Sequence, residues 1–182
     1  MSRKDPKQLR RGWTTGACAT AATRAALMML WGEGRARAVR IALPGGQTPE
    51  FEIAHHAEGE GWAEAGVIKD AGDDPDVTHG AMIVARVAPS AGGILFRAGD
   101  GVGVVTKPGL PIPPGEPAIN PVPREMMRVT VRDMAARLSE RADIEITVSV
   151  PGGQGLAQQT WNPRLGIEGG LSILGTTGIV RP

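Results

Sequence analysis

Residues 15–31 read TGACATAATRAALMMLW and are the clearest predicted helix of the chain. Either Thr14 or Thr15 is a suitable N-cap, and glycines follow at positions 32 and 34 as stop signals. Because alanine side chains let a helix backbone approach its neighbour closely, we expect this helix to pack half-buried against a sheet. Four residues share the predicted apolar face at helical spacing: Ala17, Ala21, Ala25 and Met28.

Short alternating segments around this helix predict strands. Residues 37–43 (RAVRIAL) and 50–55 (EFEIAH) alternate on either side of PGGQTP, which indicates a hairpin. Further strand candidates are residues 62–68, 81–87, 94–97 and 143–150. The expected fold class is α+β: a two-layer sandwich, with helices on a mixed, mostly antiparallel sheet and long loops rich in glycine and proline.

A second helix is predicted to start at Pro123, since proline is favoured in the first turn of a helix. Before it, residues 107–123 hold seven prolines, which predicts a long extended surface loop. The apolar face of the second helix is predicted from four residues: Met127, Val131, Met134 and Leu138.

Composition narrows the classes of function. The 182 residues are 41% hydrophobic, which suffices for one cored domain, and 20 Lys and Arg balance 19 Asp and Glu, so no overall charge favours nucleic acid or a membrane surface. Cys18 has no partner for an intramolecular disulfide, and the basic start, predicted to be a loose arm, lacks a secretory signal. We expect a cytoplasmic protein without a membrane or nucleic-acid partner, and the sequence leaves a homo-oligomer open.

Two segments combine groups that suit anions or acid–base chemistry. Thr14, Thr15 and Gly16 open the first helix, where hydroxyls and backbone N–H groups favour carboxylates and phosphates, although an ordinary N-cap has the same pattern. Residues 69–80 (KDAGDDPDVTHG) hold four carboxylates, a lysine and a histidine. Their spacing fits neither a calcium loop nor a zinc site, so we predict no metal site.

This acidic segment has two interpretations. Asp70, Asp73 or Asp76 could act as a catalytic base, or could orient the ammonium of Lys69 toward a substrate carboxylate. Alternatively, the segment is an acidic turn whose aspartates bond to local backbone.

Two glycine-rich segments remain open to similar alternatives. GDGVGVV, which contains Asp100 and Gly101, has the wrong spacing for a dinucleotide site and precedes a strand-like run, and the chain lacks a P-loop lysine arrangement. Residues 162–170 (NPRLGIEGG) combine an arginine with unhindered N–H groups, which suits ligands rich in carboxylates. A glycine-rich loop at a domain edge would have the same sequence.

Five segments, in order from residue 12 to the end, carry a family resemblance: GWTTGACATAA, VIKDAGDDPDVTHGA, GDGVGVVTKPGL, AINPVPREM and NPRLGIEGGLSILGTTGIVRP. Together they resemble the cobalt-precorrin-5B methyltransferases. The resemblance implies methylation of cobalt-precorrin-5B at carbon 1, giving cobalt-precorrin-6A, with S-adenosylmethionine as the methyl donor. It also implies that cobalt arrives with the tetrapyrrole substrate and is not bound by protein ligands.

The resemblance also implies a domain organisation. Members of that family continue for about as many residues again, with a second, Rossmann-like domain, so residues 1–182 are predicted to be the N-terminal α+β domain without the C-terminal one. The methyl-donor site would then lie partly or wholly in the other half. Alone, the chain could instead be a non-catalytic module that binds tetrapyrroles or other polycarboxylates, or that serves assembly.

We expect four loops to line the substrate side of the site. They contain Asp70, Asp73 and Asp76 as candidate catalytic residues. The candidate substrate-binding residues in these loops are Thr14, Thr15, Gly16, Lys69, Thr78, His79, Asp100, Gly101, Asn162, Arg164, Glu168, Gly169 and Gly170.

Overall fold

The fold combines helices and short strands across residues 9–182, the part of the chain that the computed structural model describes. Most of the predicted N-terminal arm lies outside these described residues. The helices are α1 (Thr15–Leu30), α2 (Pro121–Leu138), α3 (Gly153–Ala157) and α4 (Asn162–Leu165). The strands are β1 (Gly12–Trp13), β2 (Ala38–Arg40), β3 (Glu50–Glu52), β4 (His55–Gly59), β5 (Trp62–Ile68), β6 (Met82–Pro89), β7 (Leu95–Ala98), β8 (Val104–Val105), β9 (Ile144–Ser149), β10 (Ile167–Glu168) and β11 (Ile179–Val180).

Five strands form the main sheet, in the order β4, β5, β6, β9 and β7. Neighbouring strands run antiparallel, except that β7 and β9 are parallel. Three two-stranded ribbons pair β1 with β11, β2 with β3, and β8 with β10. The predicted α+β class and the mixed, mostly antiparallel sheet are therefore confirmed, and the predicted hairpin is the β2–β3 pair.

The sheet face that supports α1 is built from small and branched apolar side chains. Ala65 of β5 pairs with Ala85 of β6, and both are fully buried. Alternation along the strands turns their neighbours Glu64 and Arg86 to the opposite face, where they form an ion pair. Because alanine leaves little bulk between the backbones, α1 packs directly on β5 and β6.

Helix α1 is more buried than the half predicted from its sequence. Thirteen of its sixteen residues are buried, because α2 packs against the helix in addition to the sheet. The hydroxyls of Thr20 and Thr23 remain satisfied there, since each donates to the carbonyl oxygen four residues earlier. The prediction of a half-buried helix was wrong because the alanine pattern does not reveal the second helix that covers it.

Helix α2 starts at Pro121, two residues before the predicted start. Asn120 is the N-cap with an extended backbone, and Pro121 and Pro123 both lie in the first turn, where amide groups need no acceptor within the helix. Of the predicted apolar face, Met127, Val131 and Met134 are at most 1% exposed and Leu138 is partly buried against the core.

The proline-rich segment before α2 is irregular, as predicted, but it is not only a surface loop. Ile112 and Ala118 are buried in a second apolar cluster with Val105 and Ile167. The backbone of Val105 pairs with this segment, donating to Glu116 O at 3.0 Å and accepting from Gly115 N at 2.7 Å. The segment therefore covers the ribbon formed by β8 and β10.

Three distant segments meet where α1 begins. The amide of Trp13 donates to Asp70 O at 2.7 Å, and the amide of Gly16 donates to Leu174 O at 2.8 Å. The acidic loop after β5 and the C-terminal segment are thereby fixed beside the first turn of α1. Among the helices of residues 9–182, none is long and apolar enough to cross a membrane.

Candidate functional site

A cavity of about 360 Å³ lies at the N-terminal end of α1, where these three segments meet. Its size is within the usual range of small-molecule pockets. The walls come from the helix start, the acidic loop and the C-terminal segment. The lining residues are Thr14, Thr15, Lys69, Asp76, Val77, Thr78, Thr160, Trp161, Asn162, Leu165, Leu171, Ser172, Leu174, Gly175 and Val180.

The helix start at this cavity is fixed by a side-chain cap and by a close glycine contact. Thr14 has an extended backbone, and its Oγ1 accepts a hydrogen bond from Ala17 N at 3.1 Å, as an N-cap does. Gly16 allows the first turn to approach its surroundings, because a Cβ there would lie 2.6 Å from Pro123 Cγ and 2.9 Å from Leu174 O. Thr15, between them, lines the cavity.

Lys69 is the centre of a polar network in the cavity wall. It is 3% exposed, and its Nζ donates to Asp76 Oδ2 at 2.8 Å, Thr78 Oγ1 at 2.6 Å and Thr15 Oγ1 at 3.0 Å. An ammonium group has three N–H donors, so all three are used. The network links the acidic loop to the first turn of α1.

Asp76 supplies the negative charge that balances Lys69. Its Oδ1 accepts from the amide of Thr78 at 2.8 Å and from the hydroxyl of Thr78 at 2.6 Å. Burial opposes ionisation of this carboxyl, but the hydrogen bonds from Lys69 and Thr78 outweigh that effect and lower the pKa of Asp76. The carboxylate is thus ionised and bonded at both oxygens.

The other predicted acidic residues lie outside this cavity lining. Asp70 forms a two-bond ion pair with Arg10, at 2.6 Å and 2.8 Å, and these bonds lower the pKa of Asp70 to about 2. Asp73 accepts a hydrogen bond from the backbone amide of Arg10. His79 accepts one from Ala71 N at 3.0 Å. These three side chains bond to the segment before β1 and to the loop's own backbone.

Three backbone segments, around Gly101, Val150 and Gly170, lie in close contact with one another. A Cβ on Gly101 would lie 1.8 Å from Val150 O, and one on Gly170 would lie 2.2 Å from Gly101 O. Both glycines are thus used for close packing of backbone on backbone. Asp100, beside them, is exposed, and its carbonyl oxygen accepts from Val150 N at 2.7 Å.

Of the remaining predicted residues, one lines the cavity, three line a second groove and one is exposed outside both. Asn162 lines the cavity, is 8% exposed, and donates through Nδ2 to Gly170 O at 3.3 Å. Glu168, Gly169 and Gly170 line a separate groove of about 210 Å³. Arg164 is exposed, and its guanidinium carbon lies 5.2 Å from the ring centroid of Trp161.

Several cavity residues were missed by the sequence analysis. Trp161, Leu165 and Leu174 form an exposed apolar rim, with 69%, 48% and 49% of their surfaces exposed. Ser172 Oγ is shielded from solvent and has no hydrogen-bond partner among the described residues. The apolar run LSILG, in which Ser172 and Leu174 lie, was the only available signal for them.

The described residues offer no site for a bound metal. No three His, Cys, Asp or Glu side chains in residues 9–182 are grouped in a way that could hold an ion. Cys18 is buried in α1, and burial raises the pKa of its thiol to about 12, so the thiolate that would bind a metal is disfavoured.

Comparison with known proteins finds relatives across almost the whole chain. The sequence profile of CbiD matches residues 2–182. The cobalt-precorrin-5B C(1)-methyltransferase of Paramagnetospirillum magneticum is 61% identical over 180 residues, which are 98% of this chain and 50% of that protein. A protein of the same name from Brucella anthropi is 59% identical over 181 residues, which are 98% of this chain and 49% of the relative.

A solved structure has the same fold. The crystal structure of the cobalamin biosynthesis protein (cbiD) from Archaeoglobus fulgidus matches with a TM-score of 0.75 and 35% identity, over 96% of this chain and 55% of that one. The chain spans about half the length of the curated relatives it matches. Because the family profile and relatives near 60% identity both cover nearly all of its sequence, the chain belongs to the CbiD family.

Proposed function

We propose that this chain takes part in the methylation of cobalt-precorrin-5B at carbon 1, with S-adenosylmethionine as the methyl donor. Two relatives at 61% and 59% identity are cobalt-precorrin-5B C(1)-methyltransferases, which supports this activity. Since the chain spans about half of each relative, we further propose that residues 1–182 are one α+β domain, which supplies the tetrapyrrole-binding side of the site.

The cavity at the start of α1 supports this proposal, because it combines an apolar rim with a polar wall. The exposed rim of Trp161, Leu165 and Leu174 is apolar, and the polar residues Thr15, Lys69 and Asp76 line the same cavity. A tetrapyrrole has the complementary form, with an apolar face and carboxylate side chains at its edge. The ring is too large for a cavity of about 360 Å³, so it would lie against the rim with one side chain inside.

Methyl transfer requires the receiving carbon to lie in line with the sulfonium methyl group, close to it and away from water. Holding the ring at two points, a stacked face and an anchored edge, would fix its position and orientation. Trp161 is suited to the first role because its indole is 69% exposed and offers a large aromatic face. The polar wall near Lys69 is suited to the second. The candidate base Asp76 is bonded to Lys69 and Thr78, which favours a positioning role for it.

The cavity at the start of α1 and the glycine crossing formed by Gly101 and Gly170 do not form a fitting cradle for S-adenosylmethionine. Gly101 and Gly170, the glycines that could approach a nucleotide, instead contact other backbone segments. Asp76, the carboxylate in the cavity wall, is paired with Lys69 and accepts two further hydrogen bonds from Thr78, which leaves about one of its four acceptor positions for the two hydroxyls of a ribose. We therefore propose that the methyl-donor pocket is built mainly from the half of the relatives that this chain does not match.

A second candidate function follows from the same half-length match. By itself the chain would be a tetrapyrrole-binding module without turnover, and methyl transfer would require the partner half. We also propose that the protein acts in the cytoplasm. The exposed Arg164, Glu168 and the groove beside Gly169 would then contact either the outer carboxylates of the ring or a neighbouring domain.

Calorimetric titration of the chain with cobalt-precorrin-5B, and separately with S-adenosylhomocysteine, tests both parts of the proposal. We expect the tetrapyrrole to bind to the chain and S-adenosylhomocysteine to bind only to a full-length relative. Trp161→Ala should weaken tetrapyrrole binding. Trp62→Ala is the matched control, because Arg86 lies over that indole in a similar way on the sheet face opposite α1.

Absence of tetrapyrrole binding by the folded chain would contradict the proposed function. Binding of S-adenosylhomocysteine to the chain alone would contradict only the assignment of the donor pocket to the other half.

A further inference from the structure

A cavity outside the proposed site lies between α2 and the segment that follows β2. Its volume is about 490 Å³, and we call it the α2 groove. One side is formed by residues 41–44 and the other by α2, and Arg24 of α1 also lines it. The α2 residues that line it follow one another at intervals of one, three or four and so share one helix face, about three turns long. They are Val122, Glu125, Met126, Val129, Thr130 and Asp133.

The α2 groove is mainly apolar and is open to solvent. Leu43 and Met126 are 4% and 9% exposed, whereas Val129, on the same helix face as Met126, is 45% exposed. Glu125 and Asp133 lie four residues on either side of Val129 and are exposed. An apolar strip with charged residues at its edge is typical of a surface that binds another polypeptide element.

The C-terminal segment of the chain contacts both the α2 groove and the cavity at the start of α1. A Cβ on Gly178 would lie 2.6 Å from Cδ2 of Leu43, which lines the groove, and Val180 lines the cavity. Residue 182 is four residues beyond Gly178, a span of at most about 14 Å for extended backbone. Polypeptide that follows residue 182 in a longer protein would therefore start within reach of both surfaces.

The relatives contain enough additional polypeptide to cover the groove. This chain matches 50% of the Paramagnetospirillum magneticum protein and 49% of the Brucella anthropi protein. The proposed function assigns the methyl-donor pocket to the half that is not matched, and that pocket has to face a ring held at the Trp161 rim. A domain seated in the α2 groove would be held beside the C-terminal segment, which also lines the cavity.

We propose that the α2 groove is the docking surface for the domain that carries the methyl-donor pocket, and that this domain inserts an apolar segment between α2 and residues 41–44. This inference rests on the proposed function, in which residues 1–182 are one domain and the donor pocket belongs to another. Docking there fixes the donor pocket relative to the cavity, as in-line methyl transfer requires. A basic group beside the inserted apolar residues complements Glu125 and Asp133.

Thiol labelling of Val129→Cys tests whether the groove is covered in the longer protein. The isolated chain is compared with a fusion in which the unmatched half of the Paramagnetospirillum magneticum relative is joined at Pro182. Maleimide incorporation is measured by mass spectrometry of the peptide that carries position 129. Cys18 is 0% exposed and does not compete for the reagent. We expect Val129→Cys to react about tenfold or more slowly in the fusion, as for a docked state that is populated about 90% of the time or more.

Leu95→Cys, in β7, is the matched control. Leu95 is 42% exposed, close to the 45% of Val129, and does not line the groove. Its labelling rate should be the same in the isolated chain and in the fusion. Equal slowing at both positions would show a general loss of accessibility in the fusion and would contradict docking in the groove.

Val129→Lys should release the docked domain without unfolding α2. Glu125 and Asp133 lie four residues on either side of position 129, where each stabilises an ammonium group on the helix surface. Burial of that charge beneath an apolar segment is unfavourable. Ala42→Cys, at an exposed residue on the other side of the groove, reports the result. It should be protected in the fusion, and should react at the isolated-chain rate once Val129→Lys is also present. Protection that survives Val129→Lys would place the docking surface elsewhere.

The inference is wrong if Val129→Cys reacts as fast in the folded fusion as in the isolated chain. It is also wrong if labelling is already slow in the isolated chain, since a second copy or a small molecule would then occupy the groove. Neither result affects the proposed function, which is measured by tetrapyrrole binding and methyl transfer. A fusion that protects the groove but leaves the tetrapyrrole unmethylated, while the intact relative methylates it, would contradict the proposed function alone.

Discussion

Lys69 Nζ lies 2.8 Å from Asp76 Oδ2, and 3% of the lysine side chain is exposed against 27% of the aspartate side chain. The pair joins the acidic loop to the helix start that forms the cavity wall. A buried ammonium that loses its counterion is costly, because the charge remains out of water without compensation.

Asp76→Asn should therefore lower the free energy of unfolding by about 2–3 kcal/mol, near the lower end for a broken buried pair because Asp76 is partly exposed. Urea unfolding followed by circular dichroism measures the change. Asp74→Asn, two residues earlier, is the control, since the Asp74 side chain makes no hydrogen bond to the described residues and should change stability by less than about 0.5 kcal/mol. Equal losses in the two variants would contradict the role assigned to Asp76.

The ion pair of Asp70 with Arg10 predicts a change of stability at low pH. The bonds from Arg10 lower the pKa of Asp70 to about 2 from its ordinary value of 3.8. Because the folded-state value is the lower one, the stabilisation is complete above the ordinary value and is lost as the pH falls from there toward 2.

Arg10→Gln should move the pKa of Asp70 back toward its ordinary value and flatten the stability curve over that range. Carboxyl NMR titration of Asp70 measures the pKa directly. Arg11→Gln is the control and should leave the Asp70 titration unchanged. An Asp70 pKa that stays near 2 in the Arg10 variant would show that another group sets it.

Arg124, in α2, is linked by hydrogen bonds to the proline-rich segment. It is 7% exposed and donates to Ile119 O at 2.6 Å, Pro117 O at 2.9 Å and Glu116 Oε1 at 3.0 Å. A lysine ammonium cannot reproduce the planar guanidinium geometry, so Arg124→Lys should cost about 2 kcal/mol of stability.

Arg128→Lys is the matched control for Arg124→Lys in the same unfolding measurement. Arg128 lies 5.2 Å from the Phe96 ring centroid, as Arg124 does at 5.3 Å, but its ion pair with Glu125 spans 3.7 Å. We expect a loss below about 0.5 kcal/mol there. Similar losses in both variants would mean that contact with Phe96, and not the bonds to the proline-rich segment, stabilises the fold.

Gly101→Ala should prevent the three-segment crossing from forming. The added Cβ would lie 1.8 Å from Val150 O, and the glycine has a φ of 75°, which alanine disfavours. We expect a loss of more than about 4 kcal/mol or no folded protein, measured by thermal unfolding and soluble yield. Gly155→Ala, in α3 with no atom near the added Cβ, should be neutral or slightly stabilising. A folded Gly101→Ala protein of wild-type stability would refute the close crossing.

The helices and main strands could be predicted because their signals are local. The periodicity of residues 15–31 and the alternation of residues 62–68 reflect which side of each element meets the core. The burial of α1 could not be read in the same way, because its second partner is more than ninety residues away in the chain (Thr15–Leu30 against Pro121–Leu138).

The candidate site could be predicted only in part. Thr15, Lys69 and Asp76 meet in the structure, but Asp70 bonds to Arg10 although it lies six residues from Asp76. Which way each aspartate points is decided by the turns of the loop and by tertiary partners. Ser172 gave no signal in the sequence, because the lack of a hydrogen-bond partner for its hydroxyl is seen only in the folded structure.

Methyl transfer by a joined protein would show whether this chain supplies the tetrapyrrole-binding side of a working methyltransferase. The chain would be fused to the half of the Paramagnetospirillum magneticum relative that it does not match, and supplied with cobalt-precorrin-5B and methyl-labelled S-adenosylmethionine. Mass spectrometry of the tetrapyrrole should show one labelled methyl group added, with a lower yield in the fusion that carries Trp161→Ala. A folded fusion that binds S-adenosylhomocysteine yet leaves the tetrapyrrole unlabelled, while the intact relative labels it, would show that this chain does not take part in the methylation.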